Sequence, residues 1–319
     1  MKALVTGAAG FIGSYLAEAL LKKGYEVTCL TRPSSNLRWI EHLTVQHLRF
    51  DLAEPGAYAG ALADFDIIFH VAGATKAQTE REFFRANEEC TRNLLGVAAG
   101  NTRLKRFVYL SSLAAVGPSR DGRAVAEDTP SQPVSSYGRS KLAGERAVLE
   151  YKGLMPVTII RPPAVYGPRD TDLFVVFKMV SKGVFPYWGR CCYSFLYVED
   201  LVQGIMTAAE QTEAEGKTFF LADDIVYTND DIAGEIGEAL GTKAMKIRLP
   251  CSLLPIVAFV GQKIGKKGII NRDRMNDFRF SNWTCDSSRA RTELGFKTSI
   301  TLREGIKWTA DWYRIHRWL

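Results

Sequence analysis

Tyr137 and Lys141 stand four residues apart in the run Tyr-Gly-Arg-Ser-Lys. On a helix, residues at i and i+4 share one face. An ammonium group beside a phenol favours the phenolate and lowers its pKa. An ordinary phenol, at about 10, is a poor base at neutral pH. Once acidified it can give a proton to a carbonyl oxygen or take one from a hydroxyl. Upstream, Ser111-Ser112 closes the run Arg106–Leu110 and adds hydroxyls able to hold such an oxygen. The chemistry these residues suit is proton transfer at a secondary alcohol or ketone.

A second motif opens the chain. Lys2–Thr6 is apolar enough for a buried strand, and Gly7, Gly10 and Gly13 follow at spacings of three. Ser14–Lys23 then carries apolar residues at a helical period, Tyr15, Leu16, Ala19 and Leu20. Strand, glycine turn and helix form the context of a dinucleotide site. Gly7 permits the tight turn, Gly10 lets the backbone approach a pyrophosphate, and Gly13 lets the helix pack close. The helix N-terminus, with Phe11 and Ile12, then faces the anion.

The remaining elements must carry these two motifs to one place. Strands are expected at Tyr25–Thr31, Val45–Phe50, Ile67–Val71, Arg106–Leu110, Val157–Arg161, Phe195–Val198 and Lys217–Leu221. Helices are expected over Glu82–Ala98, from Tyr137 to about Tyr151, and over Leu201–Glu210. The second strand ends in Leu30-Thr31-Arg32 with no acid. A carboxylate there would favour NAD by binding the ribose 2′-hydroxyl. An arginine attracts a 2′-phosphate, so Arg32 favours NADP over NAD. Val71, Ala72 and Gly73 are small residues at a strand end, where a cofactor can lie against the backbone. His70, inside that strand, reads as a satisfied core residue with no catalytic role.

Thr-Gly-x-x-Gly-x-x-Gly with Gly-Phe-Ile-Gly, Ser111-Ser112, Tyr137-x-x-x-Lys141 and Arg161-Pro162 resembles the extended branch of the short-chain dehydrogenase/reductase superfamily. The resemblance spans nearly the whole chain and is motif-specific to about Asp200. It implies a doubly wound parallel sheet with helices on both faces, plus a smaller mixed C-terminal lobe. The dinucleotide-binding part would comprise residues 1–165 and about 191–226. The substrate lobe would comprise 166–190 and about 227–319. It further implies that Asp51, next to Leu52, meets the adenine. Asn87 would help fix the active-site helix, and the backbone from Pro162 to Val165 would lie along the nicotinamide. Tyr137 would be the acid–base group, Lys141 would hold the nicotinamide ribose, and Ser112 rather than Ser111 would bind the substrate oxygen. A homodimer through the helices bearing Asn87 and Tyr137 is also expected by resemblance.

Departures from the branch bear on substrate. Nucleotide-sugar dehydratases carry Thr-Asp-Glu where this chain has Ser112, Leu113 and Ala114, and two apolar side chains cannot eliminate water. Many nucleotide-sugar epimerases carry Asn where Ala164 stands and Arg where Tyr193 stands, although Arg190 lies close in sequence. Pro186, Tyr187 and Trp188 add aromatic surface. The pattern looks more like hydroxysteroid dehydrogenases and dihydroflavonol reductases, which act on hydrophobic alcohols and ketones. A nucleotide-sugar 4-epimerase and a non-catalytic NAD(P) sensor are the alternatives.

Composition sets limits. The 319 residues, 46% hydrophobic, suffice for one large core or a core and a smaller lobe. No apolar run reaches the roughly 18 residues that span a bilayer. With the first strand beginning at Lys2, no signal peptide is expected. Six cysteines without metal-ligand or Cys-x-x-Cys spacing suggest reduced thiols, no metal and a cytoplasmic setting. Residues 243–319 hold sixteen Lys/Arg against six Asp/Glu, a local excess of +10. This basic end surrounds the apolar run Leu249–Val260, which could be a buried helix, a lid over a pocket or a contact with anionic membrane. No specific nucleic-acid partner is expected from so diffuse a charge. Trp308, Trp312, Tyr313 and Trp318 recur near helical spacing and read as packing.

Overall fold

The computed structural model describes residues 1–250 and 276–319. Seven parallel strands form the main sheet: β1 (Lys2–Thr6), β2 (Glu26–Thr31), β3 (Gln46–Arg49), β4 (Ile67–His70), β5 (Arg106–Leu110), β6 (Val157–Arg161) and β10 (Thr218–Phe220). Their order is β10-β6-β5-β4-β1-β2-β3. Apart from the exposed edge strand β3, the strands are near-continuous apolar runs because both faces are covered. Ala3 and Val5 face one core and Leu4 the other; Ile67 and Phe69 pair with Ile68 in the same alternation. One face packs on α1 (Phe11–Lys22) and α7 (Val198–Glu210) through Leu16, Leu20, Leu201 and Ile205. The opposite face packs on α4 (Cys90–Ala98) and α5 (Ser136–Glu150) through Leu94, Leu95, Ala147 and Val148.

The chain leaves β1 toward β2 and β3, then crosses back to β4 on the other side of β1. Such a reversal opens a crevice at the carboxyl ends of the strands. Over it sits a smaller assembly. β9 (Cys192–Tyr197) pairs with β7 (Ala164–Tyr166), with the antiparallel β11 (Val226–Thr228) and with β13 (Asn282–Trp283). β8 (Val184–Tyr187) pairs with β12 (Met245–Arg248). Helices α6 (Phe174–Ser181), α8 (Asn229–Leu240) and α10 (Leu302–Ile315) share a core of Tyr166, Phe177, Ile236, Ile306 and Tyr313. The doubly wound parallel sheet with a smaller mixed assembly is therefore the observed architecture.

Boundaries differ in instructive places. Helix α1 starts at Phe11, three residues before the apolar period begins, because its first turn is the glycine-rich anion-facing turn. The expected single helix over Glu82–Ala98 is three pieces: α3 (Glu80–Phe84), a π-helical turn Arg85–Glu89, and α4. The strand expected to run on to Val198 ends at Tyr197, where α7 begins. From Cys251 on, the apolar run and Lys263, Lys266 and Lys267 lie outside the described residues. Among the described residues no helix is long and apolar enough to cross a membrane. No group of three or more His, Cys, Asp or Glu that could hold a metal occurs among them either.

Candidate active site

A cavity of about 1600 Å³ occupies the crevice. That exceeds the roughly 300–1,000 Å³ of a typical single-ligand pocket and leaves room for a dinucleotide and a second molecule. Its floor is the turn from β1 to α1. Gly7 has φ +73°, and a Cβ there would come 2.6 Å from the Ala72 nitrogen; one on Gly13 would come 2.2 Å from the Gly7 carbonyl oxygen. The turn thus lies directly on the end of β4. No side chain caps the N-terminus of α1, and its first turn holds no acid. The uncapped N–H groups beside Phe11, Ile12 and Gly13 border the cavity, which fits a pyrophosphate. Val71, Ala72 and Gly73 continue the floor, and Pro162 and Val165 border it from the end of β6.

Helix α5 brings Tyr137 and Lys141 to the cavity wall, beside Ser112. Ser135 caps the helix by accepting from the Gly138 N–H at 3.3 Å. Lys141 is buried, donates to the Leu110 carbonyl at 2.6 Å and lies 4.4 Å from the Tyr109 ring centroid. Burial lowers its pKa to about 7, against an opposing pull from Glu145. The Tyr137 ring packs on Phe83, centroids 6.0 Å apart. The two serines part ways. Ser111 donates to Glu145 at 2.5 Å, away from the chemistry. Ser112 accepts a local turn bond from the Ala114 N–H at 3.1 Å and borders the cavity.

Asn87 sits in the π turn, a feature frequent at functional sites. Its amide accepts from the Ala74 N–H at 2.8 Å and donates to the Ala74 carbonyl at 3.0 Å and to the Ser140 hydroxyl at 2.8 Å. It ties the loop after β4 to α5, so its geometry is that of a positioning residue.

Behind it runs a closed chain of hydrogen bonds. The Ala72 N–H donates to the Thr6 hydroxyl, which lies 2.8 Å from His70 Nδ1. His70 Nε2 lies 2.9 Å from the Thr91 hydroxyl, which donates to the Asn87 carbonyl. Since the Thr91 proton is committed to Asn87, His70 must carry its proton on Nε2 and accept at Nδ1. Burial, aided by the Lys141 charge, lowers the His70 pKa to about 3, so the ring stays neutral.

Two features of the site escaped sequence reasoning, one in this wall and one at the far end of the cavity. Glu145 continues the Tyr137–Lys141 face by one more turn and is buried in a two-bond pair with Arg161, at 2.9 and 2.7 Å. The signal was an acid at i+8 from Tyr137, unused because nothing local named its partner. At the far end of the cavity Arg32 is exposed, and Arg38 and Ser34 stand there too. Among the described residues no carboxylate pairs with either arginine. Asp51 and Leu52 line the same end; Asp51 accepts from the Ala53 N–H at 3.0 Å.

The facing wall is mostly apolar: Leu113, Ala114, Ala164, Val176, Met179, Phe185, Tyr187, Trp188, Tyr193 and Phe195, with Phe278 and Trp283 from the C-terminal part. Trp188 stacks on Phe278, centroids 5.6 Å apart. Arg190 is exposed and is not part of the cavity lining, so it does not replace the arginine missing at Tyr193.

Comparison with known proteins gives concordant matches. The sequence profile of the NAD dependent epimerase/dehydratase family matches residues 3–222. A ceramide reductase of Caulobacter vibrioides is 30% identical, over 99% of this chain and 95% of its own length. A 4-hydroxy-2-methyl-3-oxo-4-farnesyl-3,4-dihydroquinoline-1-oxide ketoreductase of Stigmatella aurantiaca is 26% identical, over 96% and 95%. The crystal structure of gox2253 superposes with a TM-score of 0.84 at 27% identity, over 98% of both chains.

Proposed function

The chain belongs to the NAD-dependent epimerase/dehydratase family, the extended branch of the short-chain dehydrogenases/reductases, and from that premise we propose that it is an NADP-dependent oxidoreductase interconverting a secondary alcohol and a ketone on a hydrophobic molecule. A bound nicotinamide supplies the hydride donor or acceptor. Tyr137 moves the proton at the substrate oxygen. Lys141 favours the phenolate and binds the nicotinamide ribose, and Ser112 donates to the substrate oxygen. The glycine turn and the start of α1 hold the pyrophosphate, with Asp51 and Leu52 at the adenine and Val71 to Gly73, Pro162 and Val165 beneath the rest.

One observation carries the substrate reading. Where a nucleotide-sugar enzyme would place acids, an amide and an arginine, the cavity has Leu113, Ala114, Ala164 and Tyr193. An apolar wall leaves the phosphates of a nucleotide sugar unpaired and suits a hydrophobic ketone. The relatives named for a ceramide and for a farnesylated quinoline support it. The NADP preference rests on Arg32 and Arg38, two cations at one end of the cavity that pair with no carboxylate among the described residues.

Hydroxysteroid, flavonoid, long-chain keto-lipid and nucleotide-sugar substrates assayed with both cofactors test the proposal. Stoichiometric change in reduced-nicotinamide absorbance with a hydrophobic ketone or alcohol is the expected result. Product from a nucleotide sugar without net absorbance change would mean an epimerase. Cofactor binding with no turnover of any substrate would mean a sensor.

A further inference from the structure

Helix α10 ends at Ile315, and Arg317 then adopts a left-handed backbone, φ 56°, which a residue with a Cβ rarely does. The turn folds the tail back. The Trp318 N–H donates to the Tyr313 carbonyl at 2.8 Å, and its ring stacks on the Tyr313 ring, centroids 5.5 Å apart and planes 9° from parallel. Phe174 and Trp312 edge against it at 5.3 and 5.0 Å. Packing alone was expected of this tryptophan, but its other neighbour is a cation. The Arg38 guanidinium lies 5.8 Å from the Trp318 ring and 4.2 Å from the Trp39 ring. Trp39 in turn packs on Trp312 at 5.6 Å. Arg38 and Trp39 both border the cavity, at the end where Arg32 stands.

We propose that Trp318 is a positioning residue for cofactor selection: with Trp39 it holds the Arg38 guanidinium at the ribose end of the cavity, where that group binds the 2′-phosphate of NADP. An arginine stacked on aromatic faces keeps its in-plane N–H groups free for phosphate oxygens. Holding it there beforehand reduces the side-chain ordering that binding would otherwise cost. The C-terminus thereby helps choose between two cofactors that differ by one phosphate. The inference rests on the NADP reading above.

Dissociation constants of NADPH and NADH, measured by titration of the full-length chain, test it without any substrate. Wild type should prefer NADPH, and Arg38→Ala should weaken NADPH about ten-fold while leaving NADH unchanged. Trp318→Leu should weaken NADPH about two- to five-fold, with NADH unchanged. In an Arg38→Ala background Trp318→Leu should add nothing. Should Trp318→Leu fail to fold, Trp318→Phe keeps a ring on Tyr313 and should give a smaller loss confined to NADPH. Equal losses for both cofactors, or no loss, in a protein whose wild type and Arg38→Ala forms behave as expected, would overturn the role of the tail and leave the NADP reading standing. A wild type that binds NADH as tightly as NADPH overturns the NADP reading, and the inference with it.

Discussion

The two walls of the cavity are held in opposite ways. On the wall made by α5, the π turn and the ends of β4 and β5, nearly every polar group has a fixed partner. Lys141 is tied to Leu110, Asn87 to Ala74 and Ser140, Ser111 to Glu145, and Glu145 to Arg161. On the facing wall, from Val176 to Phe195 with Phe278 and Trp283, contact is mostly apolar and aromatic. Directional bonds fix positions to within fractions of an ångström, as proton transfer requires. Apolar packing tolerates exchange of one shape for another of similar volume. A molecule so divided keeps its reaction fixed and leaves its choice of substrate open to change.

The sharpest way to break this contrast is at the phenol. Tyr137→Phe should lower kcat by about 10²–10⁴-fold with the ketone that the substrate panel identifies, while NADPH titration stays near wild type. Survival of most turnover would show that the polar wall is not where protons move. Removing a support should cost stability instead. Glu145→Ala strands the buried Arg161 and should destabilise by about 3–5 kcal/mol in urea unfolding. A loss under about 1 kcal/mol would mean the wall is held by packing, as its opposite is.

Lys141 gives a smaller effect of opposite sign. Its folded pKa, about 7, lies below the ordinary lysine value of 10.5. Between those values the unfolded chain holds a proton that the folded one lacks, so stability rises with pH across that window. Below about 7 the full cost of burying the charge is present. Lys141→Met should therefore flatten the slope and, near pH 6, stabilise the cofactor-free protein by on the order of 1–2 kcal/mol. Urea midpoints compared at about pH 6 and pH 9 would show it, and a variant less stable at the lower pH refutes it. On the apolar wall, Trp188→Ala should raise KM roughly ten-fold and leave kcat within about two-fold, the mark of an interaction made equally in ground and transition states. A kcat loss matching that of Tyr137→Phe would erase the distinction between the walls.

The same division governs what could be read from the chain itself. Gly7, Gly10, Gly13, Tyr137 and Lys141 are legible because each answers a local demand: a turn, a close approach, a shared helix face. All seven strands of the main sheet begin and end within a residue of the runs that announce them, and six of them, all but the edge strand β3, are apolar runs with both faces buried. The π turn at Arg85–Glu89 is not legible, because a single widened turn barely disturbs the apolar period of the helices around it. Arg38 and the Glu145–Arg161 pair are missed for another cause. Trp318 is distant in sequence from Arg38, as Arg161 is from Glu145, and only the folded chain brings them together. The aromatic wall was legible as composition at Pro186–Trp188, but its completion by Phe278 and Trp283 was not.

The imidazole of His70, gripped at both nitrogens by Thr6 and Thr91 and sealed from solvent, cannot take up a second proton near neutrality. It nevertheless feels the charge on the nearby Lys141. In an NMR spectrum its Nε2-bound proton should exchange slowly and give a low-field resonance. Any drift of that resonance around pH 7 would record the ammonium gaining or losing its proton, so the fold carries its own voltmeter beside the chemistry.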